Sequence, residues 1–175
     1  MAELAGTSAQ QISYKYIKVV PIAGALGAEI EGVDIASGVD DKTFDEIHRA
    51  WLENNIVYFR DQNLTPAQHV AFARRIGDIH PHLLNKGLEN FPEIVEVRKT
   101  PTQKLNNGGR WHSDQMYTPK PAKGTMLYSR ELPPVGGDTM FSNQYLAYDM
   151  ISEGLKKTLG GLKGVHNGDS RNHPS

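Results

Sequence analysis

The sequence predicts an α+β fold that is mainly β, such as a jelly roll with helices packed on one side of it. Short runs of β-branched and aromatic residues occur roughly seven times, and three or four other segments carry helix caps or helical periodicity. The two stronger helical patterns lie in the N-terminal half, whereas strand patterns dominate from Ile94 onward. This segregation favours helices grouped beside an antiparallel β structure.

The N-terminal half begins with strand patterns on either side of a predicted helix. The strand patterns occupy the segments 16–20, 28–33 and 56–59. The third of them is a continuous apolar run, which predicts a strand buried on both faces. Asp40 or Asp41 can cap a helix that runs to about Asn54. The apolar residues of this helix share one face: Phe44, Ile47, Ala50 and Trp51.

A second helix is predicted from its start signal. Thr65 can serve as N-cap, Pro66 suits the first helical position, and Gln68 can reach back to complete a capping box. Gly77 can end this helix in the left-handed conformation.

The C-terminal half alternates strand patterns with turns. The predicted strands are 94–97, 124–129, 138–141 and 162–166. Ser142 and Ser152 can each cap a short helix, the first through Met150 and the second through Leu159. The polar segment 99–109 is rich in Asn and Gly, which is typical of an active-site entrance.

Composition excludes several classes of protein. The net charge of −1 does not suggest a nucleic acid or an anionic membrane as partner, and no apolar run of membrane-spanning length occurs. Cysteine is absent, which excludes disulfides and thiol nucleophiles. Residues 1–13 are predicted to form a disordered leader without signal-peptide features, so the expected location is cytoplasmic.

His112 and Asp114 form the most informative short pattern. Residues two apart in a strand point to the same face, so an imidazole and a carboxylate would converge there. They would supply two thirds of the 2-His-1-carboxylate site that holds non-heme Fe(II). The spacing alone is weak, because 7 His and 20 acidic residues in 175 give about one chance match. His80 and His82 could also bind a metal, or simply be exposed loop residues.

The wider context resembles the N-terminal part of the TauD/TfdA family of Fe(II)/2-oxoglutarate-dependent dioxygenases. The matching segments run in the family's order: 27–34, 55–62, 64–68 with 72–77, 111–114, 133–139 and 159–166. The resemblance implies a partial domain over 14–175 with a clavaminate synthase-like double-stranded β-helix, or jelly roll. It also implies hydroxylation of a small anionic substrate with O2 and 2-oxoglutarate, releasing succinate and CO2.

The resemblance assigns roles by position. It implies that His112 and Asp114 bind iron, and that the Thr139 hydroxyl binds 2-oxoglutarate. It implies that His82 and Tyr117 line the substrate pocket. The implied substrates are sulfonates, sulfate esters or aryloxyacetate-like compounds.

Several positions depart from the family pattern. Asn85 and Gly108 replace a Tyr and an Asn of the taurine enzymes' substrate pocket, which argues against taurine itself. The third iron ligand and the 2-oxoglutarate-binding Arg are expected beyond residue 175. The C-terminal part of the fold is therefore expected to be missing, leaving a truncated, inactive chain whose exposed strand edges favour homo-oligomers.

Two other functions stay open at this point. One is a non-catalytic β-sandwich binding module, in which the His112–Asp114 pattern has lost its metal. The other is a cupin-type metal enzyme completed by His80 or His82, which would retain zinc or manganese and need no 2-oxoglutarate.

Overall fold

The structure is a computed structural model, and it describes residues 13–81, 85–100, 102–103 and 110–167. Its elements are β1 (Lys18–Pro21), β2 (Ala28–Glu31), α1 (Asp41–Asn54), β3 (Val57–Tyr58), α2 (Pro66–Ile76), α3 (Gln144–Met150) and α4 (Glu153–Leu159). The chain divides into two compact units, one of 1–63 with 140–149 and one of 64–139 with 150–175. Of the predicted leader, only Ser13 belongs to the described residues.

A three-stranded sheet in the order β1-β2-β3 forms the centre of the first unit. β1 runs antiparallel to β2, and β2 runs parallel to β3 through the intervening helix α1. Ala28 and Ile30 point from β2 into the core. All three predicted strands occur here with slightly different ends, but β3 is only half-buried. The expectation that this strand is buried on both faces is wrong: the strand is two residues long, lies at the edge of the sheet, and both of its residues are half-buried.

Helix α1 begins as its sequence predicts. Asp40 is the N-cap, and its side chain accepts hydrogen bonds from the backbone of Lys42 at 2.9 Å and of Thr43 at 3.1 Å. The Thr43 hydroxyl donates to the same carboxylate at 2.7 Å. This hydroxyl and the two N–H groups lower the pKa of Asp40 below its ordinary 3.8.

Glu46 connects α1 to the residues that precede β1. Its carboxylate accepts hydrogen bonds from the backbone N–H groups of Lys15 at 2.8 Å, Tyr16 at 2.7 Å and Ile17 at 3.2 Å. Three converging donors are a strong arrangement for one carboxylate. This one side chain therefore holds three consecutive residues of the segment before the sheet against α1.

Helix α2 opens the second unit and confirms its predicted start. Thr65 and Gln68 form both hydrogen bonds of the capping box, with Pro66 in the first turn. Val70 and Phe72 are the buried residues of this helix. The predicted left-handed stop is wrong, because Gly77 has φ 161° and ψ −175°, which is extended backbone.

The two short C-terminal helices differ in how well their starts were predicted. Ser152 caps α4 as expected, accepting a hydrogen bond from the Leu155 N–H at 3.2 Å. At α3 the predicted cap Ser142 is wrong, because Asn143 accepts from the N–H groups two and three residues later, at 3.0 and 3.1 Å. No helix in the described part of the chain is long and apolar enough to cross a membrane.

The predicted strands of the C-terminal half are absent from the described residues. The segments 94–97, 124–129, 138–141 and 162–166 have no strand assignment there. Periodicity indicates which face of a segment is apolar, but a strand also needs a neighbour for its N–H and C=O groups. These segments have no such neighbour among the described residues, so the mainly β jelly roll stays a prediction. What is found is one small sheet with helices.

Candidate metal centre

His112 and Asp114 lie together in the second unit. The distance from Nε2 of the imidazole to Oδ1 of the carboxylate is 3.1 Å. The convergence predicted from their spacing is present, but the strand that was its basis is not. Residues 111–113 are irregular, and a turn starts at Asp114 and includes Gln115 in the left-handed region, with φ 52°.

The other imidazole nitrogen is held by the backbone. Nδ1 of His112 lies 2.7 Å from the carbonyl oxygen of Arg110, which can only accept a hydrogen bond. Nδ1 therefore carries the proton, and in the neutral ring Nε2 presents its lone pair. Metal-binding histidines are commonly oriented in this way, by a hydrogen bond from the nitrogen that does not bind the metal.

The two carboxylate oxygens of Asp114 have different surroundings. Oδ1 faces the imidazole, whereas Oδ2 accepts a hydrogen bond from the Thr125 hydroxyl at 2.7 Å. Thr125 is eleven positions away and does not belong to any motif in the sequence. Sequence reasoning missed it for that reason.

The pair presents a ready site for a cation. A neutral Nε2 and a carboxylate oxygen are both acceptors, so a separation of 3.1 Å needs a proton or a positive ion between or beside them. Two ligand atoms bound at right angles, each about 2.1 Å from a metal, lie about 3 Å apart. The residues present therefore fit two adjacent positions of a metal with nitrogen and oxygen ligands.

The pair is open rather than enclosed. Each of the two side chains is 54 % exposed. Within the described residues, no group of three His, Cys, Asp or Glu side chains is close enough to hold a metal ion. The arrangement thus offers two ligands and leaves the remaining positions accessible to other groups.

Comparison with known sequences decides the family. The sequence model of the family described as "Taurine catabolism dioxygenase TauD, TfdA family" matches residues 18–174. The chain belongs to the TauD/TfdA family. The resemblance of the sequence motifs is confirmed, and with it the family's cofactor Fe(II) and co-substrate 2-oxoglutarate, which is also called α-ketoglutarate.

Individual TauD/TfdA relatives are similar over about half of their own length. An (S)-phenoxypropionate/α-ketoglutarate-dioxygenase of Sphingobium herbicidovorans is 33% identical, over 85% of this chain and 52% of the relative. A putative α-ketoglutarate-dependent sulfonate dioxygenase of Schizosaccharomyces pombe is 33% identical, over 86% of this chain and 40% of the relative. The chain therefore spans about half the length of the curated relatives it matches.

A solved TauD/TfdA structure supports the same relationship. The crystal structure of a putative α-ketoglutarate-dependent taurine dioxygenase from Burkholderia xenovorans superposes with a TM-score of 0.71 at 33% identity. The match covers 86% of this chain and 53% of that chain.

Among the described residues, the structure does not connect the other site positions that the TauD/TfdA resemblance indicates to the His112–Asp114 pair. Thr139 is exposed and Tyr117 is half-buried, and no hydrogen bond joins either of them to His112 or Asp114. His82 lies outside the described residues. The structure therefore brings the side chains of His112 and Asp114 together. The roles in binding metal, co-substrate and substrate stay predictions.

A small cluster lies beside the segment that carries Thr125. The Leu64 N–H donates to the Tyr128 hydroxyl at 3.1 Å, and the ring of His69 lies 6.0 Å from that of Tyr128. Burial lowers the pKa of His69 below its ordinary 6.5, and a hydrogen bond to the backbone of Met126 opposes the change. The cluster joins the first turns of α2 to residues 126–128.

Proposed function

We propose that this chain takes part in Fe(II)/2-oxoglutarate-dependent dioxygenation, with His112 and Asp114 as two of the three protein ligands of iron. The observation that carries the proposal is the 3.1 Å approach of Nε2 to Oδ1, with Nδ1 of the same ring held by the Arg110 carbonyl at 2.7 Å. Membership of the TauD/TfdA family, matched over 18–174, supports iron rather than another cation. The third ligand lies outside the residues that the structure describes.

The proposed reaction is hydroxylation of a small anionic organic substrate. Bound Fe(II) and 2-oxoglutarate supply the oxidising power: O2 delivers one oxygen atom to the substrate and the other to succinate, and CO2 is released. The names of relatives that act on phenoxypropionate and sulfonates support this substrate class. Sulfate esters and aryloxyacetate-like compounds belong to the same proposal.

Further residues of the chain receive proposed roles in binding. The Thr139 hydroxyl is proposed to hydrogen-bond a carboxylate of 2-oxoglutarate, and Tyr117 and His82 to line the substrate pocket. In each case the support is the position of the residue in the family motifs. Substitution Thr139→Val should then weaken 2-oxoglutarate binding at saturating metal and leave metal binding unchanged; equal 2-oxoglutarate affinity would contradict this role.

The jelly roll is the proposed architecture of the complete site. The TM-score of 0.71 to a solved taurine dioxygenase supports it. An experimental structure in which the segments 124–129 and 138–141 pair with other strands would agree with the proposal. Helix formation in those segments would contradict it.

Anaerobic titration of the chain with Fe(II) and 2-oxoglutarate tests the function. The expected result is a weak visible absorption band that appears only when both are present, and that His112→Ala and Asp114→Ala abolish. His80→Ala is the matched control, because His80 is an exposed His that belongs to the cupin-type alternative. A band that survives in His112→Ala and disappears in His80→Ala would overturn the assignment of the iron site to His112. Retention of zinc or manganese without any 2-oxoglutarate-dependent band, lost in both His112→Ala and His80→Ala, would favour the cupin-type alternative.

A further inference from the structure

We propose that Thr125 is a positioning residue for the metal-binding carboxylate, and that it restricts Asp114 to one coordinating oxygen. The inference rests on the proposed function of His112 and Asp114. Its basis is the 2.7 Å hydrogen bond from the Thr125 hydroxyl to Oδ2, while Oδ1 lies 3.1 Å from Nε2 of His112. One oxygen of the carboxylate is thus occupied by a donor, and the other is directed to the metal position.

Each proposed ligand is oriented by one hydrogen bond, made by an atom of the ligand side chain that does not face the metal position. The Arg110 carbonyl fixes the ring of His112 at 2.7 Å, and Thr125 fixes the carboxylate of Asp114. Without a donor on Oδ2, a half-exposed carboxylate can rotate about its Cβ–Cγ bond and exchange its oxygens. Hydrogen bonds of this kind raise metal affinity because the ligand loses less rotational freedom when the metal binds.

The segment that carries Thr125 is itself supported. Three residues later, the Tyr128 hydroxyl accepts a hydrogen bond from the Leu64 N–H at 3.1 Å. Next to Thr125, the backbone of Met126 is hydrogen-bonded by His69, whose ring also packs against Tyr128 at 6.0 Å. The hydroxyl therefore belongs to a segment attached to α2, which makes it a better-fixed donor than a free loop residue.

Coordination through one oxygen matters for the proposed chemistry. An iron ion has six positions, and a 2-His-1-carboxylate site uses three of them when the carboxylate binds through a single oxygen. A carboxylate that bound through both oxygens would occupy a fourth position. Holding Oδ2 away from the metal thus keeps three adjacent positions free for co-substrates.

Metal affinity of variants tests the inference. We would titrate each protein with Mn(II) and follow the free ion by its EPR signal, with no co-substrate present. Thr125→Val keeps the shape of the side chain and removes the donor, so binding should weaken by about tenfold or more. Thr125→Ser keeps a hydroxyl and should stay within about threefold of the parent. Thr158→Val is the matched control, because its hydroxyl donates at 2.9 Å to Gly154 within α4, away from the metal ligands.

The variants distinguish failure of the proposed role of Thr125 from failure of the proposed metal site. Equal Mn(II) affinity in Thr125→Val and the parent, with His112→Ala binding much more weakly, would overturn the role of Thr125 and leave the metal site intact. Equal affinity in all variants, His112→Ala included, would overturn the site itself. Circular dichroism of each variant reports folding; should Thr125→Val lose its helical signal, Thr125→Ala removes the same donor in a smaller side chain and is read in its place.

Discussion

The stretch from Ile17 to Phe72 and the stretch from Arg110 to Asn167 are built differently. All ten buried apolar residues among those described lie in the first stretch. The second contains both proposed metal ligands, yet none of its described residues is buried, and Trp111 is 69 % exposed. In the first stretch, neighbouring elements bury one another's apolar faces. In the second, the geometry of the candidate site comes from a few polar contacts, which join side chains to one another and to the backbone.

The two stretches show which kinds of local order depend on a buried core. Helices α1 and α2 combine side-chain caps with buried apolar residues, and α1 packs on β2 and β3, whereas α3 and α4 have no buried residue. The His112–Asp114 pair keeps its geometry through hydrogen bonds to Arg110 and Thr125. The free energy of unfolding should therefore depend on substitutions in the first stretch, and metal affinity on substitutions in the second.

The largest effect on stability is expected at Ile47. This residue of α1 is 2 % exposed, and Ile47→Ala should lower the free energy of unfolding by about 3 kcal/mol, through lost burial and the cavity left behind. Val165→Ala is the control from the other stretch, because Val165 is 94 % exposed and its loss should change stability by less than about 0.5 kcal/mol. Urea unfolding followed by circular dichroism measures both. If Ile47→Ala and Val165→Ala lowered the free energy of unfolding by similar amounts, the claim that only the first stretch has a stabilising core would be wrong.

A smaller effect is expected at Glu46. Burial opposes the charge of this carboxylate, but hydrogen bonds from the backbone of Lys15, Tyr16 and Ile17 outweigh burial and lower its pKa below 4.5. Glu46→Ala should lower the free energy of unfolding by about 2 kcal/mol at neutral pH. Because the folded pKa is below the unfolded one, this contribution is complete above about pH 4.5 and is lost as pH falls through the folded pKa. A deficit that is as large at pH 3 as at pH 7 would contradict the role of the charge.

The smallest effect is expected from the titration of His69. Burial lowers its pKa below 6.5, so the unfolded chain takes up a proton at higher pH than the folded one. Its stabilising contribution is complete above pH 6.5 and decreases as pH falls through the folded pKa. His69→Gln should reduce the loss of urea stability between pH 7.5 and 5.5. An NMR titration of the His69 ring with a midpoint at or above 6.5 would contradict the expected direction.

The sequence predicts best the features that depend on few adjacent residues. Asp40, Thr65 and Ser152 cap helices as expected, because a cap needs only its own side chain and the next three N–H groups. Asn143 replaced Ser142 because both side chains can cap, and sequence alone does not choose between neighbours. The segments 94–97 and 124–129 have the side-chain pattern of strands. A pattern indicates propensity, but it does not show which other segment would pair with the strand.

The candidate site was predictable from the sequence in part, as the helix caps and strands were. His112 and Asp114 were found from their spacing and motif context, and the structure brings their side chains to 3.1 Å. Thr125 could not be found, because a hydrogen bond across eleven positions depends on the path of the chain between them. Motifs thus identify candidate ligand residues, whereas the residues proposed to orient them can be found only from coordinates.

The proposed metal centre is tested most directly by measuring which histidines lie near a bound metal ion. Sub-stoichiometric Mn(II), added to protein with 15N-labelled histidines, broadens the NMR signals of nearby rings. We expect the ring signals of His112 to disappear first, while those of His48, His69, His80 and His166 persist at the same Mn(II) concentration. Uniform broadening of all histidines, or earlier loss of His80, would contradict the assignment of the metal centre to His112 and Asp114.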